Sequence, residues 1–434
     1  MNRKAIFELF MESDGIATDS RSIRRGQLYF ALKGERFDGN LFAESALENG
    51  AKCAIIDDPK QKKGDVFILV KDVLKTLQSL AEDYRNYLSV KVIGITGTNG
   101  KTTTKELLNK VLSARYKVHA TSGNLNNHIG VPLTLLSAPQ DTQVLIVEMG
   151  ANHPGEIAEL CSIAHPDIGY ITNIGNAHLE GFGEINQIFH TKKALFDAVE
   201  ERKTGCIFIN LEDARLRQLD NKYEGCSVRI GGDSKLHTDA VNTKQISCSP
   251  YLTMQLQYKN ISYECSTHLI GCYNKMNVLA ALEIGRFLGV TLTDGIEAIG
   301  GYTPSQNRSE LKRLGRFNII MDAYNANPSS MREAIENFFQ LPGKDKVMVL
   351  GDMLELGEEE YPAHQEIADL IAQKKSLALY YGPRFGKVNL HGQRHFEDVR
   401  DLTDYLSAMP GQELWILLKG SRGMRLERVL EQLH

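Results

Sequence analysis

From Lys91 to Glu106 a β-branched run breaks at a turn of Gly97, Thr98, Asn99 and Gly100, then opens a helix through Lys101, Thr102 and Thr103. Two glycines let the backbone N–H groups turn inward, and those donors, added to the positive end of a helix, suit a polyphosphate. Lys101 has the position that reaches β- and γ-phosphates, and Thr102 the hydroxyl position that holds Mg²⁺ in such loops. The spacing departs from G-x-x-x-x-G-K-[ST], because Ile95 stands where the first glycine belongs; this is a variant phosphate loop. A turn that merely joined strand to helix is the plainer alternative, and it has no use for a lysine and three threonines at the helix entrance.

Other residues with chemical potential recur at strand ends. Glu148 closes an apolar run from Gln143. A carboxylate there, beside a phosphate loop, offers the oxygen ligand a nucleotide-bound Mg²⁺ needs, whereas an ordinary glutamate would cap a helix or pair with a cation. His178 follows the run 168–173 at the same sheet edge, where a structural hydrogen bond competes with a functional role. Lys192 lies on a helix, and a solvated charge is the usual fate of such a lysine. Asn274 and Asn277, three apart, share one helical face and present both donors and acceptors, as an adenine edge requires; asparagine also caps helices.

These residues need a scaffold that brings strand ends together. At 434 residues the chain exceeds one ordinary core, and about 150 residues per domain suggests three. Residues 1–82 read as a small α/β domain with strand 27–32, a helix over 42–48 and apolar runs at 53–56 and 66–70. Residues 83–303 begin in the helical pattern 73–87 and alternate strands (91–95, 143–148, 168–173, 206–210) with helices (102–114, 155–163, 185–198). Such alternation predicts a parallel sheet covered on both faces, with ligands at the carboxyl ends of its strands. The stretch 227–268 looks β-rich, and a helix over 278–288 ends at Gly289. Residues 304–434 alternate again, with helices over 329–339, 363–372 and 396–409 and a last one from 422; this is a Rossmann-like domain without G-x-G-x-x-G, so NAD binding is not expected.

A net charge of -4 argues against a nucleic-acid binder that works by a broad basic face, so anionic substrates must be caught locally. Apolar runs are too short for a membrane span or a secretory core. Seven cysteines without a C-x-x-C pair predict reduced, buried thiols in a cytoplasmic protein and no cysteine metal site.

Taken together, Thr96–Thr103, Glu148, Asn173–His178, Asn274–Asn277, Arg308 and Asp322–Pro328 resemble the Mur ligases, the ATP-dependent amide-forming family of peptidoglycan synthesis, over almost the whole chain. The resemblance implies a central ATPase between a UDP-substrate domain and a Rossmann-like domain. Tyr324–Pro328 with Gly351–Leu356 is most similar to the branch that joins D-alanyl-D-alanine to UDP-N-acetylmuramoyl-tripeptide. The branch that adds the third amino acid usually carries a D-N-P-R-type motif, absent here.

The resemblance implies that Asp19, Ser20 and Arg21 contact the UDP substrate, with Asn152 and His153 also on the substrate side. It assigns Lys192 as a carbamylated lysine, with the adjacent Lys193 as the alternative because the helix register is open; as a carbamate it becomes an anionic metal ligand beside His178, whereas an ammonium there would repel Mg²⁺. Arg308 touches phosphate from the hinge side, and Asp322 and Asn325 close over the nucleotide. Where the family's adenine motif often has histidine, this chain has Tyr273. ATP and Mg²⁺ are the implied cofactors and a monomer the expected state. Rival readings are another ligase of the family, third-residue-adding or folylpolyglutamate-like, and a non-catalytic ATP-binding module.

Overall fold

The structure, a computed structural model, describes residues 2–232, 240–305 and 307–433. It has three α/β domains, as expected, each built on its own sheet.

In the first domain the strands Ile16–Ala17, Leu28–Phe30, Cys53–Ile56 and Phe67–Leu69 lie side by side in parallel. Alternation along the strands splits the core in two. Leu28, Phe30, Cys53 and Ile55 join the helix Val73–Tyr87 and a core that continues into the central domain, while Tyr29, Ala54 and Ile56 form a cluster on the opposite face.

The central sheet has six parallel strands in the order Cys226–Ile230, Cys206–Asn210, Ile168–Ile171, Lys91–Thr96, Val144–Glu148, Val118–Ala120. Both faces of the four inner strands are covered, which is why those strands are buried at nearly every position, whereas the edge strands Cys226–Ile230 and Val118–Ala120 carry Arg229 and His119 and are half-buried. Val92 and Leu145 face the helices Glu156–Ala164 and Ile185–Glu201; Ile93 and Ile146 face Lys101–Ser113 and Lys275–Phe287. Lys91–Thr96 lies between Ile168–Ile171 and Val144–Glu148, so the strand order reverses at the phosphate loop and opens a crevice there. The β-rich stretch divides: Cys226–Ile230 belongs to this sheet, while Asn242–Cys248, Tyr251–Tyr258 and Ile261–Ile270 form a separate antiparallel sheet.

The third domain has six strands in the order Glu310–Leu314, Phe317–Asp322, Leu414–Lys419, Lys346–Gly351, Ala378–Tyr381, Arg394–Phe396, with only the first antiparallel to its neighbour. Two expectations shift. Residues 394–396 pair with Ala378–Tyr381 as an edge strand, and the helix begins later, at Val399, where the Asp398 side chain caps it by accepting from the Arg400 N–H. The final segment starts as a 3₁₀ turn, Arg422–Met424, before the helix Arg428–Gln432.

The cysteine expectation is corrected. Cys206 pairs with Cys226 and Cys248 with Cys272 as disulfides, leaving Cys53, Cys161 and Cys265 free and buried. Spacing motifs report only local pairs; Cys206 and Cys226 meet because parallel register sets them opposite each other, with Cα atoms 4.6 Å apart. Among the described residues no helix is long and apolar enough to cross a membrane.

Candidate active site

A cavity of about 570 Å³ separates the central and C-terminal sheets, and the phosphate loop forms its floor. Gly97 has φ 145°, and a Cβ there would fall 1.8 Å from Thr172 Oγ1. Gly100 has φ 78°, and a Cβ would strike Asn277 Oδ1 at 2.6 Å. Glycine is required at both for the backbone to turn under its neighbours. Lys101 Nζ donates to the carbonyls of Gly97 (2.7 Å) and Thr98 (3.0 Å). Burial lowers its pKa; Glu148 opposes that and Arg308 adds to it. An incoming phosphate would give this cation a stronger partner than two carbonyls.

Thr102 is buried at the start of the same helix, and Glu148 is 2% exposed at the end of the neighbouring strand. Glu148 Oε1 accepts from Asn126 Nδ2 at 2.8 Å, whereas Oε2 is buried without a partner. An orphaned carboxylate oxygen beside a phosphate loop fits a cation, and a threonine hydroxyl is the second oxygen donor. Among the described residues no group of three or more His, Cys, Asp or Glu could hold a metal. That donor set suits Mg²⁺, which takes one or two protein ligands and completes its shell with phosphate and water.

Lys192 is 3% exposed on the helix Ile185–Glu201 and is not among the residues lining the cavity. Burial, reinforced by the charge of Lys101, lowers its pKa well below the ordinary lysine value. The helix turns Lys193 outward instead, to Asp197 and the face of Tyr223. His178 lines the cavity with φ 52°, and its Nδ1 meets Glu355 Oε2 of the C-terminal domain at 2.5 Å.

The remaining candidates separate into two groups. Asn152, His153, Asn274, Asn277, Arg308, Asp322 and Asn325 line the cavity. Asn277 Nδ2 donates to Asn274 Oδ1 (2.9 Å), and Thr104 Oγ1 donates to Asn277 Oδ1 (3.0 Å), so this pair also fastens its helix to the phosphate-loop helix. The Arg308 guanidinium lies 3.5 Å from the Tyr324 ring centroid, with Nε buried and unpartnered. Asp322 Oδ2 accepts from the buried Lys419 Nζ at 2.7 Å, and Asn325 Oδ1 accepts from the Ala326 N–H. Tyr273 hydrogen-bonds Ser309 Oγ at 2.7 Å. The N–H groups of Asn152 and His153 both donate to Glu156 Oε2; burial acts to raise the Glu156 pKa, but these bonds bring it below the ordinary value.

Asp19, Ser20 and Arg21 lie outside the cavity, in the first domain. Asp19 accepts from both the backbone and the guanidinium of Arg21, which holds its pKa down to about 2.

Sequence reasoning missed the loop 124–128, which lines the cavity and supplies Asn126. The signal was there: three asparagines and a histidine directly before the helix Gly130–Leu136.

A phosphate loop, a strand-end carboxylate and a second α/β domain facing both define a nucleotide-dependent ligase in form, and the chain belongs to the Mur ligase family. Family models match residues 12–98 (Mur ligase family, catalytic domain), 95–285 (Mur ligase middle domain) and 307–422 (Mur ligase, glutamate ligase domain). The chain is 37% identical over 432 residues to the UDP-N-acetylmuramoyl-tripeptide–D-alanyl-D-alanine ligase of Bacillus subtilis, covering 96% of this chain and 93% of that one. It is 31% identical to the Escherichia coli enzyme of the same name over 434 residues, covering 97% and 93%. Among solved structures it is similar to MurF from Acinetobacter baumannii (TM-score 0.86, 29% identity, 98% and 97% covered). The MurF ligase of Thermotoga maritima in complex with ADP is matched at TM-score 0.86 and 28% identity, with 98% and 97% covered.

Proposed function

We infer that this chain is an ATP-dependent ligase that joins D-alanyl-D-alanine to UDP-N-acetylmuramoyl-tripeptide, a step in building the peptidoglycan precursor. Near-full-length likeness to enzymes of that name supports the substrates. The observation that carries the chemistry is the convergence of the phosphate loop, the unpartnered Glu148 oxygen and the C-terminal strand ends on one cavity.

In the reaction, the terminal carboxylate of the tripeptide attacks the γ-phosphorus of ATP, and ADP leaves. Lys101 and the loop amides spread the charge that builds on the transferring phosphoryl group. The resulting acyl phosphate is attacked by the amine of D-alanyl-D-alanine; the C–N bond forms, a proton is lost and inorganic phosphate departs. Thr102 and Glu148 would hold Mg²⁺, which when bound neutralises phosphate charge. Asp322, Asn325 and Arg308 close the site from the C-terminal side and exclude the water that would hydrolyse the acyl phosphate.

Lys192 is assigned as the carbamylated residue. Its lowered pKa supports this, since the neutral amine is the form that adds to CO₂, with release of a proton. The carbamate would add an anionic oxygen donor, and His178 a nitrogen donor, to the metal side of the site. Asp19, Ser20, Arg21, Asn152 and His153 are assigned to the UDP substrate, and Asn274 and Asn277 to the adenine. A monomer working in the cytoplasm, where ATP and UDP-linked precursors are supplied, completes the proposal.

The test is phosphate release from ATP by the purified chain, with each substrate omitted in turn and with tripeptides ending in L-lysine or diaminopimelate. Release requiring both the UDP-tripeptide and D-alanyl-D-alanine, together with a product of the summed mass less water, is expected. Release with a glutamate acceptor, or with no acceptor, would overturn the assignment.

A further inference from the structure

The side chain of Asn99, in the phosphate loop, reaches across the cavity edge to the C-terminal domain. Its Nδ2 donates to Ser329 Oγ at 3.0 Å and its Oδ1 accepts from Asn327 Nδ2 at 2.8 Å, so both ends of the amide are taken by the other domain. Ser329 Oγ in turn donates to Asn327 Oδ1 at 2.9 Å, closing a triangle of three side chains. The partners are not loose. Asn327 caps the helix Pro328–Gln340, accepting from the Ser330 N–H at 2.9 Å, so the triangle is anchored to a helix end.

The main chain of Asn99 is held from the opposite side. Its N–H donates to Asn173 Oδ1 (2.9 Å) and its carbonyl accepts from Thr172 Oγ1 (2.6 Å). Separation of the domains would break both side-chain bonds of Asn99 and leave its main-chain bonds intact. The contact is also close: a Cβ built on Gly175 would meet Ser329 Oγ at 3.2 Å, and the Gly175 N–H donates to Thr98 Oγ1 at 2.9 Å. Loop, helix end and the strand-end segment after Asn173 therefore meet at one point.

We propose that Asn99 is a positioning residue that registers closure of the C-terminal domain and transmits it to the phosphate loop. Its side chain is a clasp made only when the lid is shut. It sits next to Gly100, whose amide opens the phosphate cradle, so the clasp fixes that amide at the moment water is excluded. This rests on the ligase reading and adds to it a coupling of lid position to loop geometry.

The experiment compares wild type with Asn99→Ala, Ser329→Ala and the double variant. The rate of ligation is measured, along with the radius of gyration by small-angle scattering, with and without a non-hydrolysable ATP analogue and UDP-tripeptide. Loss of two neutral hydrogen bonds is expected to lower kcat about tenfold in Asn99→Ala. Ser329→Ala should lose less, and the double variant no more than Asn99→Ala alone, since the bonds belong to one unit. Asn99→Ala should also stay expanded with ligands that contract the wild type. Additive losses, or wild-type contraction in Asn99→Ala, would overturn the clasp. Should Asn99→Ala fail to fold, Ser329→Ala carries the scattering test, since it removes one bond of the clasp and leaves the loop sequence unchanged. It should contract less than the wild type with the same ligands, and full contraction in it counts against the proposal. A wild type that contracts but makes no product would sink the ligase reading and leave the clasp standing.

Discussion

The two six-stranded sheets face one cavity with polar groups at their strand ends, yet they differ in how those groups are satisfied. In the central sheet Glu148 Oε2 is buried with no partner, and Lys101 has only two carbonyls. At the C-terminal strand ends the carboxylates are already paired, although Arg308 Nε and the Tyr380 hydroxyl on that side are also buried without partners. Asp352 accepts from the N–H groups of Arg384 (2.9 Å) and Phe385 (3.0 Å), and Lys419 is spent on Asp322. Unpaired buried polar atoms cost free energy unless a ligand completes them; paired ones rigidify the element that carries them. On the proposed reading the same architecture serves once as the reacting floor and once as a lid, and the strand-end carboxylates mark the difference: one oxygen of Glu148 is open to a ligand, whereas Asp322 and Asp352 are engaged within their own domain.

If that contrast holds, damage to the central side should far exceed damage to the lid. Lys101→Ala removes the buried cation and should lower phosphate release by about 10³-fold, with an unchanged circular dichroism spectrum. Turnover near wild type would erase the distinction. Lys192→Ala should cost about 100-fold, as loss of an outer metal-site group does, with partial recovery in acetate or another short carboxylic acid. Equal inactivity with and without the acid would remove the carbamate from the floor while leaving the phosphate loop in place.

The smallest effect is expected on the lid, at Glu355→Gln. The His178 hydrogen bond lowers the pKa of Glu355, burial opposes it and the histidine charge assists. A depressed carboxylate favours the closed form above the ordinary glutamate value of about 4.3, and that contribution disappears as pH falls through the lower value of the closed state. Glu355 is 56% exposed, so solvent screening limits the contribution to about 0.5 kcal/mol, or about twofold in the closed population. Scattering titrations of wild type and variant should therefore differ near neutrality and converge in acid. A difference that grows as pH falls would reverse the sign assigned to the pair.

Much of this was legible from residue types alone. The phosphate loop shows itself locally, because glycines, lysine and threonines must be consecutive to wrap a phosphate. Parallel sheets announce themselves through apolar strands separated by helices. Errors fell where local pattern carries no information: the edge strand Arg394–Phe396, which exists only because Ala378–Tyr381 lies beside it, and the cysteine pairs, which strand register and turn placement create.

By itself the sequence determined the chemistry on offer, the number of domains and the strand-end location of the reactive groups, since each is written in contiguous residues. Only the tertiary structure decided which polar atoms stay unpaired, which of Lys192 and Lys193 turns inward, and that Asn99 reaches across to Asn327 and Ser329. Satisfaction of a polar group depends on neighbours from distant segments, and nothing along the chain records who those neighbours will be.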